Sequence, residues 1–201
     1  MDSDAWDARY AAVPDLVWSR EPNRFVVEEL ADLPPGRAID LAAGEGRNAL
    51  WLAERGWQVT AVDFSGVAID RGRRLADEHK LSMAWLVTDL AGYVPPAGEF
   101  DLVLIAYLHL PADEMAVVLR RAAAALAPGG TLLLVGHDLA NLEHGVGGPQ
   151  DPRVLHTPEA VTAALPGLRV ERAATVRRPV PTDDGSVDAL DTLVRAVRDQ
   201  T

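Results

Sequence analysis

The stretch Ala38-Ile39-Asp40-Leu41-Ala42-Ala43-Gly44-Glu45-Gly46-Arg47-Asn48 decides how the chain folds. Its first residues are apolar and suited to a short buried strand, and Gly44 and Gly46 mark a tight turn. The run Ala49-Leu50-Trp51-Leu52-Ala53 that follows has helical spacing. A strand, a glycine turn and a helix near the start of an α/β domain make a site for nucleotide-like ligands. Glycine lets the ligand approach the backbone, and the helix N-terminus offers free N–H groups.

Upstream, residues 3–20 hold Trp6, Arg9, Tyr10 and Trp18 ahead of any strand. Glu21-Pro22-Asn23 reads as a helix start with Pro22 at the first helical position, and Leu33-Pro34-Pro35-Gly36 ends that helix. Strand one runs from Arg37 to Leu41. Downstream, a helix from about Arg47 to Arg55 stops at Gly56. Strand two, Trp57 to Val62, ends on Asp63, and Ser65 caps a helix from about Gly66 to His79. Met83 to Val87 is strand three. Leu102 to Ala106 is strand four, apolar throughout and so buried on both faces. A helix from Asp113 to Leu126 is followed by the turn Ala127-Pro128-Gly129-Gly130 and by strand five, Thr131 to Gly136, ending at His137-Asp138. A glycine-rich loop spans Leu139 to Leu155. Thr157-Pro158-Glu159 starts a helix to about Leu165. The alternating stretches Arg169 to Val176 and Ser186 to Val197 read as an antiparallel pair at a sheet edge.

Repeated strand–helix units imply an α/β fold: a Rossmann-like three-layer sandwich with a seven-stranded, mostly parallel sheet, an antiparallel C-terminal strand pair and helices on both faces. One domain over 1–201 is expected, with 1–34 as an N-terminal helical substrate cover. Residues 35–138 are its cofactor-binding core, and 139–201 supply the substrate-side loop, a helix and the terminal strands.

Composition narrows the function. The net charge of −11 repels a polyphosphate backbone, which argues against nucleic acid and anionic membrane as partners. There is no Cys, so disulfides, thiolate metal sites and cysteine nucleophiles are excluded together. Asp2 and Asp4 with no apolar segment do not suit a secretory signal, and the apolar run Leu102 to Leu110 is about half of a membrane span. A cytoplasmic protein, monomer or homodimer, is expected.

Gly44-x-Gly46-x-x-Ala49 fits the dinucleotide fingerprint by spacing, with Asp63 about 20 residues on as the ribose-binding acid. Asp40 changes the reading. A carboxylate beside the turn repels a pyrophosphate and favours a ligand that presents an ammonium group. Asp40, Asp63 and Asp89 stand at the ends of three successive strands and suit a cationic nucleoside such as S-adenosylmethionine, which carries an ammonium, a sulfonium and one carboxylate. A nicotinamide-dependent oxidoreductase and a non-catalytic S-adenosylmethionine-binding module are the alternatives.

On these motifs the sequence resembles the class I S-adenosylmethionine-dependent methyltransferases, and within them the small single-domain tellurite-resistance and thiopurine type, over roughly residues 35–138. The resemblance implies that Asp40, Gly44 and Gly46 surround the methionine end of the donor. It implies that Asp63, in Val62-Asp63-Phe64-Ser65, binds both ribose hydroxyls and that Phe64 flanks the adenine, with Ser65 beside them. Asp89 would accept from the adenine amino group next to the Leu90 backbone, and the Ala106 carbonyl would face the methionine ammonium. Leu126-Ala127-Pro128-Gly129-Gly130 resembles the family's turn into strand five. Ala42 replaces the first glycine of the usual motif, a change that matters only if the position needs a positive φ. Arg47 and Asn48 either bind the methionine carboxylate or are solvated.

The reaction implied is in-line displacement by a small-molecule acceptor (a thiol, chalcogen oxyanion, phenol or amine), leaving S-adenosyl-L-homocysteine. The catalytic candidate is His137, at the end of strand five, as a general base. Tyr10, Trp18, Tyr107, His109 and His137 are the candidate substrate wall, and aromatic side chains there would stabilise a sulfonium. His144 is a weaker candidate. No metal-ligand spacing is visible. Ala106-Tyr107-Leu108-His109 lacks the Asn/Asp-Pro-Pro-aromatic motif of DNA amino-methyltransferases. The loop Asn141 to Pro152 reads equally as a lid or as a segment without order.

Overall fold

The computed structural model describes residues 3–13, 16–17, 19–182 and 185–200. The strands are β1 (Arg37–Leu41), β2 (Gln58–Asp63), β3 (Ala84–Val87), β4 (Phe100–Ala106), β5 (Leu126–His137), β6 (Leu168–Thr182) and β7 (Gly185–Arg198). They form one seven-stranded sheet in the order β3-β2-β1-β4-β5-β7-β6. Neighbours from β3 to β5 are parallel, whereas β5–β7 and β6–β7 are antiparallel. This is the Rossmann-like sandwich with its terminal antiparallel pair.

Period-2 alternation along the strands feeds two cores. Ile39, Leu41, Val103, Ile105, Leu132 and Leu134 face α5 (Ala112–Ala125) and α6 (Pro158–Ala163) through Met115, Val118, Leu119 and Val161. Ala38, Val59, Ala61, Leu102, Leu104, Leu133 and Val135 face α2 (Arg24–Leu30) and α3 (Arg47–Glu54) through Phe25, Val26, Ala49 and Leu52. Burying each large side chain contributes about 1.5–3 kcal/mol, which is why β4 and β5 are apolar over residues 102–106 and 132–135. On the α2/α3 face also lies α4 (Gly66–Glu78). Its Gly72 meets the ring of Trp85, a half-buried member of that core.

Several boundaries differ from the sequence expectation. The N-terminal aromatic segment contains α1 (Ser3–Ala11). α2 begins after Asn23, not at Pro22: the Asn23 side chain accepts from the Phe25 and Val26 N–H groups, so Asn23 is the N-cap. Strand β5 starts at Leu126, paired with Phe100, and the next pair is Leu102 with Thr131. Ala127–Gly130 is therefore a bulge within the strand. Gly130 is needed there, because a Cβ would stand 2.8 Å from the Phe100 carbonyl oxygen. The terminal hairpin is longer than the alternation suggested, because β6 continues through Pro179 and Pro181. These prolines are two apart on an edge strand, so both missing N–H groups fall on the side away from β7.

Among the described residues no helix is long and apolar enough to cross a membrane.

The Gly72–Trp85 contact is testable. A Cβ at Gly72 would sit 2.4 Å from the Trp85 ring and 2.9 Å from the Glu45 carbonyl oxygen. Gly72→Ala is expected to destabilise by about 1–3 kcal/mol in urea unfolding, with Trp85→Phe relieving part of that loss in a double-mutant cycle.

Candidate active site

Strand β1 ends in a carboxylate with nothing to hold it. Asp40 is 0% exposed and neither carboxylate oxygen has a hydrogen-bond partner. Its alternation places it on the α3 face, beneath the turn that leads into that helix. Burial, with a contribution from the nearby Asp63 charge, pushes its pKa up to about 8, against the opposing pull of Arg47 and of the Ala49 N–H, which lies outside hydrogen-bond geometry. A buried, unsatisfied carboxyl is among the more costly groups a fold can keep.

Above it the turn is unusually constrained. Ala42 has φ 65, Gly44 φ 57 and Gly46 φ 83. Ala42 thus occupies the left-handed region that a glycine adopts freely, at a cost of about 1–2 kcal/mol. A Cβ at Gly44 would stand 2.9 Å from the Tyr10 hydroxyl oxygen, and one at Gly46 2.6 Å from Trp85. On the neighbouring strand, Asp63 accepts from the Gly44 N–H (2.8 Å) and the Ser65 N–H (2.9 Å), which ties the turn to the end of β2. Burial raises its pKa, and those N–H groups oppose the rise.

The N-terminal segment folds over this turn. Tyr10, 4% exposed, lies on Gly44. Asp7 accepts from the Ser65 hydroxyl and from the Val67 N–H, at the start of α4. Glu45 pairs with Arg71 at 3.0 Å and accepts from the Val17 N–H, while Arg71 donates to the Val13 carbonyl.

A second constellation gathers at the ends of β4 and β5. His137 lies opposite Asp191 in the β5–β7 register, and His137 Nδ1 is 3.3 Å from Asp191 Oδ1. The approach lies outside hydrogen-bond geometry, so both buried atoms are without a hydrogen-bond partner. Asp191 Oδ2 accepts from the Tyr107 hydroxyl and from Arg178 Nε, each at 2.7 Å. Burial alone would raise the Asp191 pKa, but His137, Arg178 and Tyr107 together hold it below the usual value. Tyr107 itself has φ 60, a strained conformation for a bulky residue. Its hydroxyl accepts from Asn23 Nδ2 (3.1 Å), and the Asn23 N–H donates to Asn48 Oδ1 (2.8 Å). A continuous chain of hydrogen bonds therefore runs from α3, just past the glycine turn, through Asn23 and Tyr107 to Asp191.

His109 stacks between His137 (5.4 Å) and His156 (5.1 Å). Its Nδ1 donates to the Val154 carbonyl, and His156 Nε2 donates to the Leu108 carbonyl. Burial, followed by the neighbouring His156, brings the His109 pKa down to about 3, so it is a neutral ring. The loop after β5 is a fixed wall: Asn141 donates to the Val146 and Gly147 carbonyls and accepts from the Leu190 N–H, and Gly148 lies flat against His137.

The chain is similar in sequence and fold to known proteins. Residues 38–130 fit the family described as Methyltransferase domain. The chain is 33% identical over 123 residues to the demethylmenaquinone methyltransferase of Thermus thermophilus, covering 60% of this chain and 54% of that protein. It is 35% identical over 134 residues to the ubiquinone biosynthesis O-methyltransferase of Xanthomonas campestris, covering 64% and 54%. The chain thus spans about half the length of these curated relatives. Other relatives are named as rRNA and tRNA methyltransferases. In fold, it superposes over 98% of its length on 92% of a chain described as "Conversion of a Disulfide Bond into a Thioacetal Group during Echinomycin Biosynthesis", with a TM-score of 0.77 at 24% identity. TehB from Haemophilus influenzae gives 0.75 at 15% identity, over 98% of this chain and 66% of that one. These likenesses support a class I S-adenosylmethionine-dependent methyltransferase domain.

The family's donor is S-adenosylmethionine. The residues present fit it: an orphaned buried carboxyl suits an ammonium, and a glycine cradle that a Cβ would fill suits close backbone approach. Of the sequence candidates, Asp40, Ala42, Gly44, Gly46, Arg47, Asn48, Asp63, Phe64 and Ser65 come together around the turn. Asn48 is engaged by Asn23, and the Ser65 hydroxyl is spent on Asp7 and on capping the Ala68 N–H. Arg47 has only a 3.5 Å contact with the Ser19 hydroxyl and no ion pair among the described residues. Asp89 is exposed and closes a turn by accepting from the Ala91 N–H, while Leu90 beside it is buried. Ala106, at the end of β4, pairs with Val135. Trp18 lies outside the described residues, and His144 is an exposed surface residue near Glu143. Asp191, Arg178 and Asn23 were missed, because only the strand register and the α2 cap bring them to the site.

Asp40 gives a pH prediction. Its folded pKa lies above its unfolded one, so its contribution to stability is full below the model-compound value of 3.8 and is lost as pH rises towards about 8. Relative to Asp40→Asn, the ligand-free protein is expected to lose up to about 1.4 kcal/mol per pH unit within that window, measured by urea unfolding at several pH values.

Proposed function

We propose that the protein transfers the methyl group of S-adenosylmethionine to a small-molecule acceptor (a thiol, chalcogen oxyanion, phenol or amine) and releases S-adenosyl-L-homocysteine. The observation that carries the reading is the unpartnered Asp40 carboxyl under the glycine turn, which a ligand ammonium would satisfy and a pyrophosphate would not. The donor, when bound, supplies an electrophilic methyl, so the protein's task is alignment and exclusion of water.

In this reading Asp40, the Ala106 carbonyl and Arg47 hold the methionine end, Ala42, Gly44 and Gly46 form the cradle, and Asn48 anchors the start of α3. Asp63 takes the ribose hydroxyls on oxygens already aligned by the Gly44 and Ser65 N–H groups. Phe64, Leu90 and Asp89 surround the adenine. Residues 1–34 act as a cover, with Tyr10 on the cradle side, and Tyr107, His109 and His137 face the acceptor. The net charge of −11 supports a small molecule over RNA.

Asp63→Ala is expected to stay folded and to lose about 10²–10⁴-fold in affinity for S-adenosylhomocysteine by calorimetry, as two hydrogen bonds to a charged group of about 1.5–3 kcal/mol each would imply. The intact protein should be stabilised against heat by S-adenosylhomocysteine and not by NAD. An unchanged dissociation constant in the variant, or stabilisation by NAD alone, would contradict the reading.

A further inference from the structure

The acceptor can be narrowed, building on the methyl-transfer reading above. His137 presents two different nitrogens. Nδ1 is buried 3.3 Å from Asp191 Oδ1, outside hydrogen-bond geometry, and neither atom has a hydrogen-bond partner. The adjacent carboxylate can only accept, so its charge favours the proton on Nδ1 and the lone pair on Nε2. Nε2 has no hydrogen bond and is not among the buried unpartnered atoms, so it keeps solvent access while its ring is 14% exposed.

The pair is braced on every side. Asp191 is itself held by Tyr107 and Arg178, and Tyr107 by Asn23. The His137 ring lies between Tyr107 (5.1 Å) and His109 (5.4 Å), and Gly148 covers it. Such investment in one imidazole's tautomer serves no purpose for an acceptor that arrives already ionised.

We propose that His137 is the general base for a neutral hydroxyl acceptor of the phenol or enol class, and that Asp191 is the positioning residue that fixes its tautomer. His137 Nε2 takes the hydroxyl proton as the oxygen forms its bond to the donor methyl. The electron pair of the broken carbon–sulfur bond stays on sulfur, and the positive charge lost by the sulfonium ends on the imidazolium, which Asp191 stabilises. Thiolates, selenides and chalcogen oxyanions need no such base. Alkylammonium acceptors are disfavoured by the surroundings, because Arg178 on β6 and Arg47 at the start of α3 are cationic, while His109 and His156 are neutral rings. The same guanidinium groups favour a developing phenolate.

Three measurements on the full-length protein test this, with S-adenosylhomocysteine binding as the control for the donor reading. Long-range 1H–15N NMR of the wild type should show His137 protonated on Nδ1; protonation on Nε2 overturns the proposal. Assays with catechol and 4-substituted phenols should show methylation, with thiophenol and aniline slower. His137→Gln should lower kcat about 10²–10⁴-fold on unactivated phenols with donor affinity kept, and 4-nitrophenol, tested where it is already ionised, should escape most of that loss. Asp191→Asn should shift the acidic limb of the kcat profile; Tyr107→Phe, which leaves the carboxylate in place, gives the same shift in smaller measure if the Asn variant fails to fold. Donor binding without phenol methylation, or phenol turnover indifferent to His137, overturns the assignment and leaves the donor reading standing. Failure to bind S-adenosylhomocysteine sinks the donor reading itself.

Discussion

A buried carboxyl with no partner is the constraint on which this structure turns. Asp40 stands at the end of β1, between apolar strands, where every neighbouring position is a core residue. A fold selected for stability alone would place an alanine or valine there. The group is tolerated because the two glycines above it leave the backbone open and the α3 N-terminus begins there. The strain at Ala42 and the close fits of Tyr10 and Trp85 against the turn belong to the same arrangement: they hold the backbone around the carboxyl and leave its oxygens unsatisfied.

The acceptor side is built around a chain of hydrogen bonds that ends on Asp191. Asn23 illustrates it. Its side-chain oxygen caps α2, its amide reaches Tyr107 and its own N–H finds Asn48. Through these contacts the donor turn and Asp191 are parts of one hydrogen-bonded frame, and the chain's N-terminal segment lies across the turn.

Much of this was legible in the sequence. Uninterrupted apolar runs such as Leu102 to Ile105 announce strands buried on both faces, and the acid preceding the glycine turn separates a cationic ligand from a dinucleotide by charge alone. Asp63 was visible for the same reason, by its place at the end of a strand. What was not legible depends on register and dihedral angle. Asp191 sits 54 positions from His137 and meets it only because β7 enters the sheet antiparallel beside β5. The positive φ of Ala42 leaves no trace in its side chain. Asp89 shows the reverse: a strand-end acid whose side chain, in this structure, serves its own turn.

The most direct measurement of the central claim is the titration of the Asp40 carboxyl by 13C NMR, in the free protein and with S-adenosylhomocysteine bound. Free, the carboxyl should titrate near pH 8, far above an ordinary aspartate; with the ligand's ammonium beside it, it should be ionised throughout the neutral range. A titration at the ordinary aspartate value in the free protein, or one that the ligand leaves unmoved, would contradict the account.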